Sequence, residues 1–346
     1  MLKCFTDYHH ASLSYSLHLL FEKRLGAELY RPIGMEWAEL GFWKYYDHPD
    51  TQKQFLGLEQ GTLKPTSRLN ANRREENGVY YITEPSENFE HKAVTFQKFM
   101  EMKWDIIIAS VPQHLDIYTQ LASYFKPSPK VVFQMGNEFR PIPYNYARNI
   151  LSSTAPFDVP DGVNAVFYHQ EFDTSIFQYT SPLETKKIKS YLHWQNKTLD
   201  AHLWDEYKTA LPEFDFVLHG SGGDDGVITG TKNIAKSMAD AAFIWHCKPG
   251  GDGFGHILHN AYCVGRPVIG RFNHYKGKLA GELLVDLVTG IDLDQRDPAT
   301  NCALIREYSE PKAHRALCEC ARRRFQEVVD FDAEFEKIKV FLGNLV

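Results

Sequence analysis

The sequence predicts an α/β protein made of two doubly wound parallel sheets in tandem, closed by a helical tail. Three observations predict it. Short apolar strand-type runs alternate with amphipathic helical stretches along most of the chain. Two of those runs, at 104–111 and 242–247, are almost continuously apolar, as parallel strands covered on both faces are. The chain has 346 residues, more than one ordinary core holds, so two domains are expected.

Taken in order, 1–6 reads as a first strand. A helix over 10–25 follows, with Leu13, Leu17, Leu20 and Phe21 on one face. Residues 27–34 form a second strand that runs into a Pro-Gly turn. The segment 35–77 is rich in aromatic and polar residues, with weak periodicity. It reads as an excursion, with Trp37, Trp43, Tyr45 and Tyr46 as its local core or a stacking surface. Further strands are expected at 79–83, 104–111, 130–136 and 164–169, and helices at 93–103 and 115–125. A joining segment spans 171–183. The second series gives strands at 188–194, 214–220, 242–247 and 266–272, with helices at 199–211, 231–241 and 254–264. Residues 311–345 read as a long helix broken near Asp330–Asp332. The expected domains are 1–168, 169–325 and a terminal helix 326–346 that returns to the first domain.

Composition narrows the function. Apolar residues make up 43% and charged residues 24%, the balance of a soluble globular protein. No apolar run approaches the roughly 18–20 residues of a membrane span. Asp7, His9 and His10 stand where a signal peptide would be apolar, so a cytoplasmic location is expected. A net charge of −6 argues against a large nucleic-acid surface. Basic clusters at Arg68, Arg73 and Arg74, and at Lys186, Lys187 and Lys189, read as solvated faces. The six cysteines form no CxxC pair, which predicts neither a zinc ribbon nor a disulfide framework, and no metal site is expected.

The chemistry is carried by "KPGGDGFGHILHNAYCVGRPVI", residues 248–269. It follows an apolar strand and leads into a helix. Ligands of open α/β sheets bind beyond the carboxyl ends of the strands, where helix starts present unused amides and partial positive charge. Amides around Gly253, Phe254, Gly255 and His256 can hold a diphosphate, with Lys248 adding charge. Asp252 can reach a sugar hydroxyl, and Asn260, eight residues on, a ribose. The loop "HGSGGDDG" ends another strand, and Gly220, Ser221 and Gly222 are expected to face the same crevice.

Residues 241–293 resemble the donor-binding half of GT-B glycosyltransferases, in particular the retaining family-four type. The shared framework is an apolar strand, a Pro-containing loop, an acidic residue before Gly-Phe-Gly, a second polar residue on the helix, and Gly-x-Pro-Val-Ile. Here Asp252 and Asn260 stand where that family has two glutamates. "HQEFDTSIFQYTSP" resembles its linker and "LLVDLVTGIDLD" its downstream segment. The resemblance covers 167–294 well and the N-terminal half in element order. It implies two facing Rossmann-like domains with the active site in their cleft and a C-terminal crossover helix. It also implies a nucleotide-diphospho sugar as donor substrate, no further cofactor, and no metal. Lys197, with His193 nearby, stands near the place of the family's basic phosphate ligands. His114 stands at a strand end where the family often places a histidine against the donor sugar.

Asp7, His9 and His10 end the first predicted strand and can bind or activate an acceptor hydroxyl. Asn137, Glu138 and Arg140 end another. The leading expectation is a metal-independent, retaining glycosyltransferase. A nucleotide-sugar epimerase or phosphorylase on the same fold is a rival, as is a silent nucleotide-sugar-binding protein. The acceptor stays open among glycan, lipid-linked sugar, metabolite and modified nucleic acid, and the oligomeric state is open too.

Overall fold

The structure, a computed structural model, describes residues 1–7, 11–33, 73–84, 89–137, 141–181, 184–192 and 200–346. Its strands are β1 (Lys3–Thr6), β2 (Glu28–Pro32), β3 (Arg73–Glu76), β4 (Val79–Glu84), β5 (Phe89–Val94), β6 (Ile106–Ala109), β7 (Lys130–Met135), β8 (Asn149–Ser152) and β9 (Asn164–Phe167), then β10 (Lys187–Ser190), β11 (Asp215–Leu218), β12 (Phe243–His246), β13 (Val268–Gly270) and β14 (Gly290–Asp292). The α-helices are α1 (Ala11–Leu17), α2 (Phe96–Glu101), α3 (Pro112–Ala122), α4 (Ala201–Ala210), α5 (Thr231–Ala239), α6 (His256–Cys263), α7 (Pro298–Ser309), α8 (Pro311–Val328) and α9 (Phe331–Gly343). By contacts the chain forms two compact units. One is Met1–Ser153 with Phe157–Phe172 and Asp332–Val346; the other is Thr154–Pro156 with Asp173–Phe331.

The first unit carries a sheet ordered β3-β4-β5-β2-β1-β6-β7-β8-β9. Side chains alternate across it. Phe5, Ile107, Phe133 and Ile150 enter one apolar layer, while Cys4, Ile106, Ile108, Val132 and Leu151 enter the other. Ile338 and Phe341 of α9 close the second layer with Leu13 and Leu17 of α1. Three details differ from expectation. β4 runs antiparallel to both β3 and β5, so the sheet ends in an antiparallel edge. The expected helix 93–103 starts later, at Phe96 after the Thr95 cap, and Ala93 and Val94 instead end a strand over 89–94, where no element is expected at 89–92. β8 is only four residues long, too short to stand out from its polar flanks.

A polar latch fixes α9 to this unit. His169 donates its backbone amide to Glu334 at 2.9 Å and its Nδ1 lies 2.5 Å from the same carboxylate. Arg24 forks onto Glu171 at 2.7 and 2.8 Å and reaches Asp332 at 2.7 Å. Glu334→Ala is expected to remove the carboxylate that the buried His169 amide and Nδ1 share, costing about 1–3 kcal/mol. Hydrogen exchange over 331–343 checks this: it should accelerate before global unfolding in the variant but not in the native chain.

The second unit carries a wholly parallel sheet, β11-β10-β12-β13-β14. Trp245 sits at its centre, fully buried, with ring contacts to Trp204, Tyr207 and Phe216. β14 and α7 lie in a stretch where the sequence suggests no elements. β14 has three residues, and α7 is capped by Asp297 through its bond to the Thr300 amide.

Candidate functional site

In each sheet the chain builds to one side of its first strand and then to the other. Successive crossovers therefore open a crevice at the carboxyl ends of the two strands where the direction reverses. In the second unit those strands are β10 and β12. The loop after β10 lies outside the described residues, and with it His193 and Lys197. The loop after β12 is the glycine-rich stretch 247–255.

That loop is folded around Asp252. His246, the last residue of β12, places Nε2 2.7 Å from Asp252 Oδ2. Lys248 pairs with Oδ1. The Tyr275 hydroxyl donates to Oδ2 at 3.3 Å and also lies 3.2 Å from the Asp252 amide. Lys278 ties the loop, donating to the carbonyls of Gly250 at 3.0 Å and Asp252 at 3.1 Å. Burial alone would raise the Asp252 carboxyl. The His246 hydrogen bond and the charges of His246 and Lys248 outweigh it and hold the group well below the usual carboxylate range. Burial first, and then the Asp252 charge, push the Tyr275 phenol far up, so it remains a donor. A carboxylate offers about four acceptor positions. Protein donors occupy three of them, two on Oδ2 and one on Oδ1.

The glycines are required where the loop closes. Gly251 has φ of +71°, and a Cβ there would lie 2.7 Å from the His274 carbonyl oxygen. Gly255 has φ of +80° at the start of α6, with Ala280 and Leu258 already at contact distance from any Cβ. The ladder of α6 begins with the Leu258 and His259 amides on the Gly255 carbonyl, which leaves the amides around Gly253–Ile257 outside it. Phe254 stacks on His259 at 4.0 Å and bears edge-on on His256 at 4.8 Å. Asn260 keeps a buried Oδ1 with no hydrogen-bond partner among the described residues.

The loop with Gly220, Ser221 and Gly222 leaves the same edge, because β11, β10 and β12 are parallel. With β10 intervening, it starts roughly 10 Å to the side, at two strand spacings. Part of its backbone is closed on itself: the Gly220 amide donates to Gly226, Gly223 to Gly220, and Leu218 to the Asp225 carboxylate. The basic residues Lys187 and Lys189 are committed to Asp240 at 2.7 and 3.2 Å.

In the first unit the direction reverses between β1 and β6. Asp7 follows β1 and is buried. It accepts the Ser110 amide at 2.9 and 3.1 Å and lies 2.6 Å from Nδ1 of His114, in the first turn of α3. A carboxylate only accepts, so Nδ1 of His114 carries a proton. Asn137 is exposed. His9, His10, Trp37, Trp43, Tyr45, Tyr46, Arg68, Glu138 and Arg140 lie outside the described residues.

Sequence reasoning missed His246, His274, Tyr275 and Lys278. One signal was available: His246 is a lone polar residue at the carboxyl end of an otherwise apolar strand. Among the described residues, no cluster of three or more His, Cys, Asp or Glu side chains could hold a metal ion. No helix among them is long and apolar enough to cross a membrane.

Two tandem Rossmann-like sheets, a return helix and a glycine-rich loop at the second switch point define the GT-B class of fold. Solved structures of that class match the chain end to end. HepE of Anabaena, crystallised with UDP-glucose, matches at 12% identity with a TM-score of 0.63, covering 100% of both chains. The pneumococcal O-GlcNAc transferase GtfA, in complex with UDP and GlcNAc, matches at 9% identity and 0.61, covering 99% of each. Sucrose-phosphate synthase from Thermosynechococcus elongatus matches at 10% and 0.60, covering 100% of this chain and 99% of that one. At such identities the likeness establishes the fold. No protein-family profile matches the sequence, and comparison with curated proteins finds no match.

Proposed function

We propose that this protein is a glycosyltransferase that moves a sugar from a nucleotide-diphospho sugar to an acceptor hydroxyl, with retention and without a metal. The observation that carries this reading is the loop Lys248–Gly255: a helix start, a lysine and a depressed carboxyl gathered at the switch point of a parallel sheet. The amides of Gly253–His256 and the Lys248 ammonium meet the diphosphate and stabilise its departure. Asp252 accepts a sugar hydroxyl at the position left on Oδ1, and Asn260 Oδ1 accepts from the ribose. The acceptor hydroxyl attacks the anomeric carbon on the face the diphosphate leaves. Retention and metal independence rest on the resemblance to the family-four enzymes. Gly220–Gly222 borders the nucleotide side, and Lys197 and His10 complete the phosphate and acceptor contacts. The Asp7–His114 pair binds hydroxyls or handles a proton at the switch point of the first unit.

HepE and GtfA were each crystallised with UDP, which supports a uridine donor here. A thermal-shift screen of UDP-glucose, UDP-GlcNAc, GDP-mannose and ADP-glucose tests the proposal. One donor, expected to be a UDP-sugar, should raise Tm saturably with concentration. If none of the four raises it, the proposal fails.

A further inference from the structure

We infer that His246 is a positioning residue that fixes the Asp252 carboxylate for its ligand, an inference that rests on the donor-site reading above. β12 is apolar over Phe243–Trp245 and then ends in an imidazole that is 1% exposed. The carboxylate only accepts, so Nε2 carries a proton and donates it over 2.7 Å to Oδ2. The other ring nitrogen, Nδ1, is buried with no hydrogen-bond partner among the described residues. An apolar residue would fill this place without that unsatisfied atom. What the histidine supplies instead is one donor, aimed from a strand rather than from a loop.

The other partners of Asp252 are a more exposed lysine and a longer contact. Lys248 lies on the same loop and its side chain is 30% exposed, and the Tyr275 contact is long at 3.3 Å. His246 and Tyr275 together commit Oδ2. The acceptor position left for a ligand hydroxyl is therefore on Oδ1, beside Lys248. Sugar orientation thus depends on His246 acting through Asp252, while the amides that hold the diphosphate do not.

The test uses the full-length protein with UDP and UDP-glucose as probes, or the donor preferred in the thermal screen. His246→Leu removes the donor at similar bulk, and His246→Gln keeps an N–H near the Nε2 position. UDP affinity by calorimetry should stay within about threefold in both variants. Turnover of the sugar donor should fall about 100-fold in His246→Leu, the scale of a misplaced reacting group, and recover to within about tenfold in His246→Gln. In an Asp252→Ala background, His246→Leu should add less than about threefold. Equal loss of UDP affinity and turnover, equal loss in the Leu and Gln variants, or a full further loss without Asp252 would each overturn the inference. A wild-type protein that neither binds UDP nor turns over any donor defeats the donor-site reading instead. The pairing is then judged by ring-nitrogen NMR without ligand: an Nε2–H signal of His246 that ignores Asp252→Ala sinks it, whereas one that moves upholds it.

Discussion

Asp252→Ala is expected to lower kcat/KM for sugar transfer by about 10³-fold while leaving UDP affinity unchanged or slightly higher. The magnitude is that of removing one electrostatic contact made to the reacting group. The sign on affinity comes from Lys248. In the native site its ammonium is paired with Asp252 Oδ1. Deleting the carboxylate frees that charge for the diphosphate. Lys248→Ala should do the opposite, weakening UDP binding about tenfold or more through the loss of one charge-assisted contact. Steady-state kinetics and calorimetry on the two variants decide it. If both bind UDP as the native protein does and both keep full turnover, the donor site lies elsewhere. A pH consequence accompanies the first variant. The Asp252 carboxyl is depressed on folding, so it stabilises the fold fully above its unfolded value of about 3.9 and loses that contribution as pH falls below it. Acid unfolding of Asp252→Ala should therefore be less steep over that range.

The second large effect concerns Arg266, within the Gly-Arg-Pro-Val-Ile stretch that sequence reading treats as framework. It is fully buried. Its Nη1 donates to the Thr180 carbonyl at 3.0 Å, and its Nη2 to Thr180 Oγ1 at 2.8 Å and the Ala239 carbonyl at 2.6 Å. Burial lowers its guanidinium from the ordinary value, the mark of a cation held by carbonyl dipoles in a dry place. It ties the end of α5 and the segment at Thr180 to the turn between α6 and β13. Arg266→Ala removes these donors and also leaves the buried Val264 and Gly265 carbonyls, which Nη1 meets at 3.3 Å, without the guanidinium, so a loss of about 2–5 kcal/mol is expected. Arg266→Lys should recover only part, because a single ammonium cannot reproduce the planar fork. Denaturant unfolding measures it, and a loss under about 1 kcal/mol would overturn the assignment.

Much of the fold was legible because local pattern carries it. Apolar runs such as "DIIIAS" and "AFIWHC" had to be covered strands, and the break in the tail fell at Asp330 between α8 and α9. The failures were short or paired by distant partners. β3, at the end of a segment read as an excursion, is strand only because it pairs with β4. β5 was hidden because "FEHKAV" runs directly into a helix, and its partners β2 and β4 are remote or reversed.

The sequence by itself determined where strands hand over to helices, and which loops had to be glycine-rich because residues such as Gly251 and Gly255 adopt positive φ. It also placed Lys248 and Asp252 together, since they share one loop. Only the tertiary structure decided which strand ends adjoin, setting Gly220 two strands from Lys248, and which side chains surround Asp252. Tyr275 comes from 23 residues downstream, and His246 points at Asp252 only because the loop doubles back over the end of β12. The reason is physical: propensity and periodicity act between near neighbours, whereas strand order and side-chain pairing are fixed by non-local packing of the whole sheet.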